Sequence, residues 1–201
     1  MLALNPDEMS PRDNYKFLIG SIIPRPVAFV TTKAEDGTLN AAPFSYFNIV
    51  SATPPMISVS VQRQNGVQKD TARNASFSKQ FVVHICDEEN VEKVNATAAS
   101  LRPNESEIER VGLTPVVSTV VDVPGVREAK IRMECVLEHA LALGGSTPSC
   151  DLLIGRIVQY HVEESLYEGG RVNPHGLNPV ARLAGNDYVT LGNIFTIARP
   201  K

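Results

Sequence analysis

Two serines, a lysine and a threonine between positions 58 and 71 could together grip a phosphomonoester. Such a group carries about two negative charges and three acceptor oxygens, so it needs several donors and at least one cation at short range. Ser58 and Ser60 alternate with Ile57, Val59 and Val61, which puts both hydroxyls on one face of a strand. Lys69 brings a cation, and Thr71 a hydroxyl where a helix is expected to begin and free backbone N–H groups converge. Arg63 is a second cation on the same path, and Asp70 or Thr71 can cap the helix. Each residue alone also reads as the solvent face of a strand, an ordinary cap or a solvated lysine. Their order along one stretch is what points to a phosphate.

Asn40-Ala41-Ala42-Pro43-Phe44-Ser45 suits a different part of a ligand. Ala41 and Ala42 are small enough for a broad ring to approach the backbone. Pro43 lacks an N–H and fixes the local path, leaving the amides of Phe44 and Ser45 to meet ring heteroatoms. Donors aimed at an electron-accepting ring stabilise its reduced state where water is partly excluded. The plainer reading of Pro43 is a bulge or a strand end.

The elements that must hold these residues follow from pattern. Val27 to Lys33 is β-branched and aromatic, and Glu35-Asp36-Gly37 signals a turn, so a hairpin into a strand over 39–49 is expected. Met56–Val61 has period two and reads as a strand. A helix follows to about Lys79, then a strand over Phe81–Cys86, then a second helix from Asp87-Glu88-Glu89 to about Ser100. Beyond an irregular stretch that includes Arg102-Pro103-Asn104, long strands are predicted at Lys130–Leu143 and Asp151–Val162. Many strands, two short helices and Gly/Pro turns describe a mainly β fold, a small closed or nearly closed barrel with helices at its openings. Residues 1–201 read as one domain, with 1–14 and about 165–201 as extended segments that would lie against a second subunit.

Composition narrows the function classes. Charged residues are 20% of the chain and the formal net charge is −3, without the basic excess that a nucleic-acid partner requires. Met1 to Asn14 has neither the apolar core of a leader nor that of an anchor, and no run approaches the roughly 20 apolar residues of a spanning helix. Cytoplasmic residence is the expectation, with no membrane partner. Cys86, Cys135 and Cys150 contain no CxxC pair and read as reduced, buried thiols, and the sequons at Asn74, Asn95 and Asn104 as chance matches. No His, Glu and Asp cluster has metal-ligand spacing. His84 reads as a core histidine, His139 and His161 as strand residues, and His175, in a Pro/Gly loop, as a candidate nicotinamide contact. Gly144-Gly145 lacks the GK[ST] of a P-loop and no GxGxxG occurs, so no dinucleotide-binding domain is expected.

Taken together these pieces resemble the flavin reductase-like family of FMN-binding split barrels. The likeness lies in Arg25-Pro26, the Asn40–Ser45 run, Pro54-Pro55 before a strand and Lys69-Asp70-Thr71 before a helix. It continues through Asn95-Ala96-Thr97, Gly112-Leu113-Thr114-Pro115, Gly170-Arg171-Val172 and the run Ala181 to Tyr188, and so covers nearly the whole chain. It implies that Asn40, Ala41, Ala42, Pro43, Phe44 and Ser45 line the isoalloxazine edge of FMN. It implies too that Ser58, Ser60, Lys69 and Thr71 hold the phosphate, that Asp70 orients Lys69 or caps the helix, and that Arg182 and Tyr188 lie near the flavin or a homodimer contact. Ile108 stands where an aromatic residue beside Glu107 is expected, a departure near the flavin's open face.

The implied activity is an FMN-dependent oxidoreductase in which NADH or NADPH passes hydride to flavin N5. Because the cofactor carries that chemistry, no catalytic dyad or triad is required. The alternative is a flavoredoxin-like carrier that serves a protein electron acceptor. A pyridoxamine-phosphate-oxidase-like enzyme shares the barrel but fits the Lys-Asp-Thr and Asn-Ala-Ala-Pro-Phe-Ser pieces less well.

Overall fold

A computed structural model of the chain describes residues 1–99, 101–102 and 105–200. The expectations on Pro103 and Asn104, the last sequon among them, lie outside the described residues. Seven strands make the main sheet: β1 (Ala28–Lys33), β2 (Leu39–Phe44), β3 (Phe47–Ala52), β4 (Pro55–Gln62), β5 (Gln80–Ile85), β6 (Ile131–Leu143) and β7 (Cys150–Val162). Their order is β2-β1-β5-β6-β7-β4-β3, antiparallel throughout. The two edge strands, β2 and β3, are consecutive in sequence and separated only by Ser45 and Tyr46. The sheet must therefore curl until its edges reach one turn, where the Ser60 N–H donates to the Tyr46 carbonyl at 2.8 Å. This is the split β-barrel that the sequence predicts.

The barrel interior takes one face of each strand. Val30, Phe44, Ile57, Val59, Val61, Phe81, Val83, Leu153 and Ile157 pack there with Ala72 and Ala75 of α2 (Asp70–Ser78), small residues that let the helix close against the strands. Phe81 fills the space over Gly155, where an added Cβ would stand 2.3 Å from the ring. A second cluster lies outside the barrel and joins Val27, Phe29 and Ala41 to Val94 of α3 (Val91–Ala96) and Ile108 of α4 (Glu107–Val111). His84 is buried between Phe29 and the loop before β6. Its Nδ1 lies 2.9 Å from the Phe29 carbonyl and its Nε2 accepts the Val126 N–H at 2.9 Å, so one neutral tautomer satisfies both. Burial brings its pKa down to about 4.

Several local expectations are corrected. The N-terminal segment is helical over α1 (Pro11–Ser21), because Ser10 accepts the Asp13 N–H and Pro11 takes the first helical position, where its missing N–H costs nothing. The strand expected over 39–49 is two strands broken at Ser45. The second helix is shorter than predicted: Asp87 Oδ1 accepts the Glu89 and Asn90 N–H groups in a turn, and helix begins only at Val91. The C-terminal part is not extended throughout. It forms α5 (Pro174–Leu177), and Ala181–Arg182 then pairs with Arg25–Pro26 on one side and Tyr188–Val189 on the other. Only beyond Val189 does it run without strand or helix, exposing Leu191, Ile194, Phe195 and Ile197. The three cysteines are unpaired, Cys150 half-buried rather than buried.

Candidate functional site

Two clefts flank the Pro43–Phe44 floor, and Pro43, Phe44, Lys69 and Ala98 line both. The first, about 390 Å³, is walled by Tyr15, Ser45, Tyr46, Ser60, Arg25 and the Arg182–Tyr188 segment. The three charged residues among its described lining residues, Arg25, Lys69 and Arg182, are all cations. In a chain of net charge −3 that is a local excess of positive potential, suited to an anionic ligand group. The second cleft, about 490 Å³, has Gln64, Asn65, Gln68, Asp70, Thr71 and Glu107 around the same floor.

Arg25 holds the first cleft together. It is 6% exposed, and its guanidinium donates to the carbonyls of Ile19 (2.8 Å) and Ile22 (2.5 Å) at the end of α1 and to that of Leu183 (2.8 Å). Its Nε is buried without a partner among the described residues. The helix carrying Tyr15 and the strand pair carrying Arg182 and Tyr188 are thus tied to one strand residue. Arg182 lies over the Tyr188 ring at 4.5 Å and donates to the Gly185 carbonyl, while the Tyr188 hydroxyl donates to Asn95 of α3 at 3.1 Å. Burial, with Tyr15 close by, raises the Tyr46 pKa, so this phenol stays neutral.

The residues singled out from sequence divide in three. Pro43, Phe44, Ser45, Ser60, Lys69, Arg182 and Tyr188 line the first cleft, and Asn40, Ala42, Asp70 and Thr71 the second. Ala41, Ser58, Arg63 and His175 line neither. Ala41 is buried, and the Ser58 hydroxyl lies 3.5 Å from the Asn48 carbonyl. Arg63 makes a two-pronged pair with Asp151, at 2.9 and 2.6 Å, which takes up the charge assigned to a phosphate. His175 sits in α5, with its neighbours Gly176 and Leu177 packed on Leu166.

Two assignments change in kind. Lys69, not Asp70 or Thr71, occupies the N-cap of α2, and Asp70 pairs with Arg73 at 2.5 Å instead of orienting Lys69. Thr71 is 2% exposed and its hydroxyl donates to Asn40 Oδ1 at 3.0 Å, so its proton is directed into the protein. Asn40 in turn donates to Glu107, whose pKa burial raises. Ile108 is wholly buried in the outer core, so the departure from an aromatic residue there belongs to packing and not to an open ligand face.

Sequence reasoning missed Tyr15, Tyr46 and Glu107. Tyr15 belongs to the unexpected helix, for which Ser10-Pro11 is the signal. Tyr46 follows directly on the motif. Glu107 carries no local signal, since its partners are more than sixty residues away.

The chemistry of the first cleft fits a phosphorylated flavin: cations without competing carboxylates among the described lining residues, a floor of Pro43 and Phe44, and aromatic walls. Comparison with known proteins gives the family. The family model of the flavin reductase like domain matches residues 19–176. The crystal structure of nitrilotriacetate monooxygenase component B from Bacillus cereus superposes with a TM-score of 0.97 at 61% identity, covering 98% of each chain. That of the 2-nitrobenzoate 2-nitroreductase of Pseudomonas fluorescens gives 0.90 at 29% identity over 99% of this chain and 96% of the other. The flavoredoxin of Desulfovibrio vulgaris gives 0.74 at 25% identity over 88% and 91%. With the match spanning most of its length, from the end of α1 to α5, the chain belongs to the flavin reductase like family.

Proposed function

We propose that this protein binds FMN in the first cleft and acts as a flavin reductase, taking hydride from NADH or NADPH. The observation that carries this is the cleft's set of three cations, with no carboxylate among its described lining residues, beside a floor of Pro43 and Phe44. Lys69 and Arg182 supply charge to the phosphate, and Ser60 and Ser45 supply donors near it. Pro43 and Phe44 support the ring and keep water from one side of it, and Tyr15 and Tyr46 close the wall. When bound, the flavin supplies the hydride-accepting atom, so the chain need only bind, orient and shield. The second cleft opens over the same floor and gives a nicotinamide nucleotide room to approach. The likeness to a monooxygenase component supports delivery of reduced flavin or electrons to a partner.

The apolar side chains exposed on α1 and beyond Val189 (Phe17, Leu18, Ile194, Phe195) are assigned to the contact of a homodimer, and the unpaired thiols suit a reducing cytoplasm. The likeness to a flavoredoxin favours a second reading, an FMN-bound electron carrier for a protein acceptor. One experiment separates the two: anaerobic addition of NADH or NADPH to the FMN-loaded protein. Rapid bleaching of the flavin's visible absorbance supports the reductase. A tightly held flavin that ignores both nucleotides supports the carrier, and failure to hold FMN at all overturns both.

A further inference from the structure

Glu107, only 7% exposed, ends a buried chain of hydrogen bonds that crosses three elements. Its Oε2 accepts the Ala41 N–H at 3.0 Å and Asn40 Nδ2 at 3.1 Å, and its Oε1 lies 3.2 Å from the same Nδ2. Asn40 Oδ1 accepts the hydroxyls of Thr71 (3.0 Å) and Thr32 (3.3 Å), and Asn74 Nδ2 donates to Thr32 at 3.4 Å. Every donor in the set points toward Glu107, so the carboxylate is the terminal acceptor of the chain.

Two of the segments it joins, β2 and the start of α2 with its N-cap Lys69, line both clefts. β2 is an edge strand, paired only with β1 among the described strands, and Glu107 receives an N–H that no neighbouring strand takes. β2 carries Pro43 and Phe44, and the start of α2, where Thr71 sits, carries Lys69. The link through Asn40 therefore sets the floor relative to the cation.

We propose that Glu107 is a positioning residue of the flavin site, fixing Pro43–Phe44 against Lys69 through Asn40 and Thr71 without touching the ligand. The proposal rests on the flavin reading of the first cleft. It also reassigns Asn40 and Thr71: their polar groups are engaged with each other and with Glu107, and serve the ligand by holding its walls.

The test exploits the polarity of the chain. In Glu107→Gln the amide oxygen can keep the Ala41 N–H and its own contact with Asn40 Nδ2, but the new NH2 takes the place of Oε1, 3.2 Å from that same Nδ2, donor against donor. Adding Asn40→Asp restores an acceptor there, and the carboxylate it introduces can receive the new amide and both threonine hydroxyls. FMN affinity is measured by quenching of flavin fluorescence, with circular dichroism confirming that each near-isosteric variant is folded. Glu107→Gln is expected to weaken FMN binding about tenfold, the loss of one charged hydrogen bond in effect, and the double variant to recover most of that loss. Unchanged affinity in the single variant overturns the proposal, as does a double variant no better than the single. If the single variant does not fold, the double decides alone, because a direct Asn40 contact with FMN predicts further loss where positioning predicts near-wild-type affinity. Wild-type protein that binds no FMN overturns the flavin reading itself, and the proposal with it.

Discussion

Replacing Lys69 by methionine removes the cation shared by the two clefts while keeping a side chain of similar length, and the effect on ligands should depend on whether they carry a phosphate. Lys69 is solvent-exposed and forms no salt bridge among the described residues, so its contribution belongs at the low end of the range for a hydrogen bond between charged groups. That is about 1.5 kcal/mol, or about a tenfold rise in the FMN dissociation constant. Riboflavin has the same ring without the phosphate, and its affinity should be unchanged within about twofold. Titration of both ligands into wild type and Lys69→Met, followed by flavin fluorescence, measures the difference directly. The wild-type preference for FMN should also shrink as salt is raised, because an exposed charge is screened. Equal losses for the two ligands, or none for FMN, would refute the assignment of Lys69 to the phosphate.

Other consequences follow from groups the structure has redirected. Arg25→Met removes three bonds to the Ile19, Ile22 and Leu183 carbonyls and should cost about 3 kcal/mol, lowering the thermal midpoint by about 6–12 °C in a chain of this size. A shift under about 2 °C in circular dichroism melts would show the clamp to be idle. Arg63→Met leaves the buried Asp151 without its ion-pair partner and should lower the midpoint of urea unfolding, with FMN affinity unchanged. A selective loss of FMN binding would instead return Arg63 to the phosphate site. His84, with a pKa near 4 when folded against an ordinary 6.5, gives stability that is complete above about pH 6.5 and is lost as pH falls toward 4. Between pH 7.5 and 5.0 the wild type should lose about 2 kcal/mol more than His84→Gln, and parallel curves would contradict the buried neutral imidazole.

The barrel is legible in the sequence because its strands obey a simple alternation. Ile57, Val59 and Val61 all face the core and Ser58 and Ser60 do not, and β6 and β7 begin within one residue of the predicted starts. What sequence could not supply is where polar side chains direct their hydrogen bonds. Ser58 and Ser60 share a strand face, yet only Ser60 lines the cleft, while Ser58 pairs with Asn48 of β3 and its hydroxyl lies against the Asn48 carbonyl. Arg63 and Asp151, eighty-eight residues apart, meet because β4 pairs with β7, a fact of sheet order and not of local spacing. Thr71 reads as a free donor from its place at a helix start, but the neighbouring edge strand takes its hydroxyl. Two of the unexpected helices differ in kind: α1 announces itself through Ser10-Pro11-Arg12-Asp13, whereas the five residues of α4 are held by Glu107 and Ile108 reaching other elements.

If FMN binds as proposed, its phosphate lies in the cleft bounded by Arg25, Lys69 and Arg182, with the ring on the Pro43–Phe44 floor. A crystal structure of the protein grown with excess FMN tests it most directly. The account predicts phosphate oxygens within hydrogen-bonding distance of Lys69 or Arg182 and the ring against Pro43 and Phe44. FMN bound elsewhere, or this cleft without it at saturating ligand, would contradict the account.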